Sequence, residues 1–254
     1  MATAKALPVE SPRPFFVLDV ETMNPPAHEM TRLEQEFLAD WEPGGNLKDP
    51  EKIEAKRQAD LNKFRERAAL LDAAPLAMCG LMFEGQTFLL HGLKTAKAKW
   101  LGSRKNGVTL EGFAGEKALM EAVITVLNEK TEADSIGVGH NLFGFDLRRL
   151  RLACVRNGLM LPDVLRVVRT DGEERQRFVD TMQLFCKYFG RSNDIMVSQE
   201  TMLTRLGVES LLHGVATGAD VPALLAAGKV SEVGTKLLAD LLGVRAAYLR
   251  MTGR

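Results

Sequence analysis

The sequence lacks an excess of charge of either sign, because its 33 lysines and arginines balance 33 aspartates and glutamates over 254 residues. Any surface that binds nucleic acid therefore has to be a local basic groove. The three scattered cysteines have neither the even number of a disulfide framework nor the paired spacing of a zinc site, which fits a reducing cytoplasm. No apolar run reaches membrane-spanning length, so we expect a cytoplasmic protein with no membrane partner.

The first fourteen residues contain three prolines and no apolar segment of the kind that a signal peptide has. We expect residues 1–14 to be a disordered lead. Hydrophobic residues make up 46% of the chain and charged residues 26%, which is typical of globular proteins. A chain of this length can bury a large core within one domain.

The stretch Phe15 to Thr22 (FFVLDVET) is the most informative part of the sequence. Its apolar run predicts a buried strand, and alternation along a strand places Asp19 and Glu21 on the same face. Two neighbouring carboxylates on a buried strand are costly unless a cation neutralises them, and Mg²⁺ or Mn²⁺ is the usual partner of all-oxygen ligands. The alternative is a strand end that reaches solvent and carries two ordinary surface acids.

Hydrophobic spacing and turn residues predict further elements along the chain. Strands are predicted at 75–83, 86–91, 135–138 and about 178–179. Helices are predicted at 29–41, 49–71, 116–130, 182–189, 198–206, 221–227 and 230–250, with one more that follows the turn at 139–141 and ends near Val155. An irregular hairpin is predicted around Asp171-Gly172.

Two charged stretches each allow two interpretations. The helix that begins at Asp49-Pro50 has a charged face, which is either solvated or part of an arm covering one side of an active-site cleft. The basic stretch at 94–107 includes Trp100 and is either a mobile loop or a segment that follows a phosphate backbone and stacks a base.

Two further acids fall at informative positions. Asp146 follows a glycine turn and lies in the first turns of the predicted helix. Asp240 falls on or beside the apolar stripe of the last predicted helix, where an isolated ionised carboxylate is strongly penalised. The alternative is that Asp240 pairs with Lys236, one turn earlier.

Three segments together resemble the exonuclease motifs I, II and III of the DEDD, or DnaQ-like, 3′–5′ exonuclease superfamily. They are Asp19-Val20-Glu21-Thr22, then Gly139-His140-Asn141 with Phe145-Asp146, and finally Asp240. Residues 214–250 resemble the end of the exonuclease domains related to family B DNA polymerases. Residues 48–71 resemble an arm found in the phage-type members of that group. The resemblance implies an α/β, RNase H-like fold with a central mixed β-sheet flanked by helices. We therefore predict a single exonuclease domain over 15–254, with a helical arm at about 24–74.

The resemblance also implies an activity and a site. The activity is the removal of nucleotides from the 3′ end of single-stranded DNA, and RNA stays open as a substrate because no feature reads a 2′-hydroxyl. Two Mg²⁺ or Mn²⁺ ions would be held by four acids, with Asp19 bridging both ions, Glu21 and Asp240 completing one site and Asp146 the other. The implied substrate-binding residues are His140 and Asn141 for the terminal nucleotide, Phe145 beside it, and Thr22 and Met23 for the last base. The sequence identifies no protein partner.

One position departs from the superfamily pattern. Four residues before the motif III aspartate, where a water-orienting tyrosine is usual, this chain has Lys236. A lysine with its ordinary pKa of about 10.4 is a poor base at neutral pH unless burial and nearby cations lower that pKa. Alternatively, Lys236 neutralises the acids and replaces one metal ion, which would leave a weakened nuclease serving as a nucleic-acid-binding or assembly module. A third alternative is that His213 or Tyr248 supplies the missing group.

Overall fold

The computed structural model describes residues 13–45, 47–93, 107–166, 177–189, 196–209 and 215–254. Its strands are β1 (Phe15–Thr22), β2 (Leu76–Phe83), β3 (Gln86–His91), β4 (Val108–Gly112), β5 (Ile136–Gly139) and β6 (Phe178–Asp180). Its helices are α1 (Ala27–Asp40), α2 (Pro50–Glu66), α3 (Gly115–Lys130), α4 (Asp146–Arg156), α5 (Thr181–Tyr188), α6 (Gln199–Leu206), α7 (Val221–Ala226) and α8 (Val230–Thr252). Two 3-10 turns lie at Ala68–Leu70 and Asp163–Leu165.

The described strands form one mixed sheet in the order β4-β3-β2-β1-β5-β6. Neighbours β1 and β2 are antiparallel, as are β2 and β3, whereas β3–β4, β1–β5 and β5–β6 are parallel pairs. Strand β1 therefore has an antiparallel neighbour, β2, on one side and a parallel neighbour, β5, on the other. The prediction of an α/β protein with a mixed sheet flanked by helices is confirmed.

The two faces of β1 belong to two different cores, as the alternation of its side chains requires. Phe16, Leu18 and Val20 pack with α3 and α4, whereas Val17 faces α7 and α8. Helix α8 lies close against β2 because Gly80 has no side chain. A Cβ atom at Gly80 would lie 2.7 Å from Cδ1 of Leu241. A third, smaller core forms where α5 and α6 pack on the last turns of α8.

Helices α1 and α2 pack on each other and occupy the stretch for which a helical arm is predicted. Phe37 and Phe64 stack with 4.8 Å between ring centroids, and Arg65 pairs with Glu34 at 2.7 Å. No residue of α1 is buried, and α2 buries only Leu61. Asp49 caps α2 by accepting a hydrogen bond from the Glu51 amide, as the Asp-Pro start predicts. Several charges of the arm pair within the arm, which supports a solvated face.

Strand β4 is the one strand of the described residues that the sequence interpretation missed. It lies beyond the basic stretch at 94–107, and its side chains are half-buried or exposed, so its pattern lacks a clear apolar face. Most of that basic stretch, His213, the hairpin around Asp171-Gly172 and residues 1–12 lie outside the described residues. Within the described residues, no helix combines the length and the apolar character that crossing a membrane requires.

Candidate metal centre

The site begins where β1 extends beyond its parallel neighbour. Pairing with β5 ends at Val17 opposite Val138, whereas pairing with β2 continues to Thr22. The outer half of β1 therefore has backbone groups without a strand partner on the β5 side. The Val20 amide donates a hydrogen bond to Oδ1 of Asp146 over 3.0 Å. Asp146, the first residue of α4, thus accepts where a neighbouring strand would.

Three carboxylates converge where β1 packs against α8. Asp19, Glu21 and Asp240 each offer a carboxylate oxygen, and these oxygens lie within 4.8 Å of one another. Glu21 and Asp240 are buried, and Asp19 is half-buried. The predicted shared face of Asp19 and Glu21 is confirmed, as is the position of Asp240 on the core-facing stripe of α8, beside Leu237 and Leu241.

The acids repel one another in a site with little access to water. Burial raises the pKa of Asp19 well above its usual value, and the charges of Asp146, Asp240 and Glu21 raise it further. Burial likewise raises the pKa of Asp146, although the hydrogen bond from Val20 opposes that shift. Carboxyl groups whose pKa is raised in this way favour either protonation or a nearby cation. Because all the donors are hard carboxylate oxygens, the residues present fit Mg²⁺ or Mn²⁺.

Lys236 places a cation of the protein itself among these acids. Its Nζ atom lies 2.5 Å from Oε1 of Glu21 and 2.6 Å from Oδ2 of Asp240. The alternative that Asp240 pairs with Lys236 is therefore confirmed, with Glu21 as a second partner. Burial alone would lower the pKa of Lys236, but the charges of Glu21, Asp19 and Asp240 outweigh it and raise that pKa. With only these acids around it, Lys236 is a charged donor and not a base.

The predicted turn between β5 and α4 is held by hydrogen bonds inside the protein. The ring of His140 bonds through Nε2 to the Val197 carbonyl oxygen at 2.8 Å and through Nδ1 to the Thr181 hydroxyl at 3.1 Å. Burial lowers the pKa of His140, so the neutral ring is favoured. Asn141 has a φ of 56°, a left-handed conformation that asparagine tolerates. These contacts support a role in shaping the turn, and nucleotide binding by His140 and Asn141 stays a prediction.

Asp180 is a positioning residue that the sequence interpretation missed. This buried acid ends β6 and accepts hydrogen bonds from the backbone amides of Asn141 at 3.1 Å, Met182 at 2.9 Å and Phe143 at 3.4 Å. It therefore caps α5 and fixes the turn that leads to Asp146. An aspartate directly after a short strand and before a helix is an N-cap signal that could have identified it.

The other predicted substrate-binding residues adjoin the acids in sequence and make contacts within the fold. The Thr22 hydroxyl donates to the Ala69 carbonyl oxygen at 2.6 Å, which ties β1 to the end of the arm. The Met23 amide donates to the Pro75 carbonyl oxygen at 3.1 Å, and its side chain is half-buried. Phe145 lies under the guanidinium of Arg149, 5.0 Å from the ring centroid. Their contact with a base stays a prediction.

Neither the models of known protein families nor the curated protein sequences match this chain. The class of site is therefore defined by its own residues. It is a carboxylate cluster at the end of the central strand of a mixed α/β sheet, closed by an acid from the last helix and partly neutralised by a lysine from that same helix.

Proposed function

We propose that this protein is a metal-dependent 3′–5′ exonuclease with an RNase H-like fold, which removes nucleotides from the ends of single-stranded DNA. One observation carries the proposal. Asp240 is far along the chain from Asp19 and Glu21, which are neighbours on β1, yet the carboxylate oxygens of all three lie within 4.8 Å of one another. Asp146 adds a fourth acid at the edge of the same strand. All four stand at the sequence positions that resemble the DEDD motifs, with Asp19 and Glu21 on a strand, Asp146 at the start of a helix and Asp240 on the last helix, which supports the proposal.

The acids have a defined task in this chemistry. The charge of Asp146, at the start of α4, raises the pKa of Asp19 on β1, and Glu21 and Asp240 complete the cluster from β1 and α8. Two bound Mg²⁺ or Mn²⁺ ions would activate the attacking water and stabilise the leaving oxygen of a phosphodiester. The protein orients the carboxylates through the hydrogen bond from Val20 and through the packing of α8 on β2.

A second candidate function rests on Lys236. Its ammonium group already bridges Glu21 and Asp240, which the two-ion arrangement needs as ligands. An internal cation at this place competes with a metal ion for the same oxygens. The protein would then be a catalytically weakened relative that binds nucleic acid or supports the assembly of a complex. Calorimetric counting of Mn²⁺ separates the two functions, because the exonuclease binds two ions and the weakened module binds one or none.

The activity assay follows a 5′-labelled single-stranded DNA with Mg²⁺ and with Mn²⁺, beside a matched RNA. The exonuclease predicts a ladder that shortens from the 3′ end, requires the metal and is absent in Asp19→Asn. If only Lys236→Tyr produces the ladder, the site is intact and lacks its water-orienting group. If neither protein cleaves DNA or RNA, the exonuclease proposal is wrong and the binding module replaces it.

A further inference from the structure

A cavity lies at the end of β1 opposite to the carboxylates. Its volume is about 700 Å³, and it is bounded by the start of β1, the β2–β3 turn and the C-terminal part of α8. Phe15, at its wall, precedes Asp19 by four residues, which corresponds to about 13 Å along a strand. A cavity of this size suits a small organic ligand rather than a lone ion.

The cavity is lined by more basic side chains than acidic ones. Arg13, Lys130, Arg245 and Arg254 contribute to its lining, and Glu84 is the one acid among the lining residues. Within the described residues, the side chains of Lys130 and Arg245 form no hydrogen bond or ion pair. The Arg254 guanidinium donates to the Arg13 carbonyl oxygen, at 3.2 Å, and lies over the Tyr248 ring. Within the described part of the chain, Lys130 and Arg245 therefore carry like charges that no acid neutralises, and such an arrangement favours an anion.

Basic residues of the helical arm, unlike those at the cavity, pair with acids. Lys56 and Arg57 of α2 lie on an exposed surface, yet each pairs with an acid on the same helix, at 2.6 Å and 2.8 Å. Lys130 and Arg245 at the cavity pair with no acid among the described residues, so their charge is available for a ligand. Guanidinium groups bind phosphate particularly well, because their planar N–H groups match its oxygens.

Apolar side chains form the rest of the wall. Phe15, Met82, Phe83 and Leu249 line the cavity beside the cations. Phe15 packs against Tyr248 with 5.0 Å between ring centroids, and Phe83 stacks on Phe16 at 5.6 Å, so the aromatic walls are held in place. An apolar wall beside Lys130 and Arg245 suits a ligand that has both an apolar body and an anionic group.

We propose that this cavity binds a small organic phosphate, with its phosphate group at Arg245, Arg254 and Lys130 and a flat apolar body against Phe15 and Phe83. A nucleoside monophosphate has this chemistry. The proposal is independent of the exonuclease function, because it involves none of the acids at the other end of β1.

The test is calorimetric titration of the whole protein with dAMP in EDTA, which removes divalent ions from the carboxylates. We expect one dAMP to bind per chain. Deoxyadenosine and inorganic phosphate should each bind with an affinity at least about tenfold lower, because each supplies half of the contacts. The double variant Arg245→Ala/Arg254→Ala should lose about tenfold or more in affinity. Arg205→Ala is the matched control and should bind as the wild type does, because Arg205 is an exposed arginine of α6 away from this cavity.

Three results would overturn the proposal. The first is no binding of dAMP by a folded wild-type protein at millimolar concentration. The second is equal affinity of the wild type and the double variant, which would place the ligand elsewhere. The third is a single-stranded oligonucleotide that competes with dAMP and binds the cavity more tightly than dAMP does. That result would make the cavity part of a nucleic-acid path. Asp19→Asn locates the site, because the proposal predicts unchanged dAMP affinity in that variant.

Discussion

The two ends of β1 handle charge in opposite ways. At one end, four carboxyl groups are crowded together in a largely buried site, with Lys236 as their cation. At the other end, Lys130, Arg245 and Arg254 line a cavity whose side chains include a single acid. A net charge of zero over the whole chain hides both features.

The two ends differ in how much folding stability is lost when a charged group has no partner. Charges in a buried cluster have little water to stabilise them, so their ionisation depends on what the protein places beside them. Charges at an open cavity stay hydrated and need no partner for the fold to be stable. Substitutions should therefore affect folding strongly at the acidic end and ligand affinity alone at the basic end.

The largest effect on stability is expected for Lys236→Met without metal. Removing this cation leaves Glu21 and Asp240 uncompensated in a buried place, which typically costs about 3–5 kcal/mol. Urea denaturation in EDTA measures the loss, and added Mn²⁺ should recover part of it. The matched control is Lys229→Met, because Lys229 pairs with Glu232 at an exposed surface at the start of α8 and should change stability by less than about 0.5 kcal/mol. Equal losses in the two variants would contradict the contrast between the ends.

Asp180→Ala should cost about 2–4 kcal/mol, because it removes a helix cap and leaves buried amides without an acceptor. Backbone N–H groups, and not a cation, stabilise Asp180. Added Mn²⁺ should therefore not restore the stability that Asp180→Ala loses, as measured by thermal denaturation. Asp180→Asn keeps one acceptor oxygen and should lose less. A full recovery of Asp180→Ala by Mn²⁺ would place Asp180 in the metal centre itself.

Asp146→Asn should stabilise the metal-free protein by about 1–2 kcal/mol at neutral pH. Because burial raises the folded-state pKa of Asp146, the protonated form is favoured in the fold. Its contribution is fully present below the ordinary aspartate pKa and is lost as pH rises through the raised pKa. Asparagine is always neutral and keeps the oxygen that accepts from Val20. Denaturation between pH 4 and 8 in EDTA should show a weaker fall in stability with pH than in the wild type, and an unchanged slope would contradict this assignment.

Arg245→Ala should have the smallest effect, a change within about 0.5 kcal/mol, because the exposed guanidinium has no partner within the described residues. Thermal denaturation without ligand measures it. A loss of several kcal/mol would mean that the basic end also holds the fold together, and the contrast with the acidic end would disappear.

Periodicity predicted the elements that bury a clear apolar face. The run before Asp19 predicted β1, and the stripe of α8 placed Asp240 against the sheet, because burial enforces those patterns. Strand β4 escaped this reasoning because its side chains are only partly buried. Hydrophobic patterning predicts elements whose positions are buried, because burial restricts them to apolar residues. It predicts exposed elements poorly, because many residue types are compatible with solvent.

The contacts of the site were only partly predictable for a different reason. The spacing of Lys236 and Asp240 predicted their pairing within one helix, but Glu21 lies 215 residues from Lys236 in the chain. Such a contact depends on how α8 crosses the sheet, which local spacing does not determine. The hydrogen bonds of His140 and Asp180 likewise join segments that meet only in the folded protein.

The most direct test of the account is Mn²⁺ binding to the wild type and to Asp19→Asn, measured by calorimetry at neutral pH. If the carboxylates form a metal centre, the wild type binds Mn²⁺ and Asp19→Asn, with an isosteric neutral side chain, loses about tenfold or more in affinity. Equal binding by the two proteins, or none by the wild type, would contradict a metal centre at this end of β1.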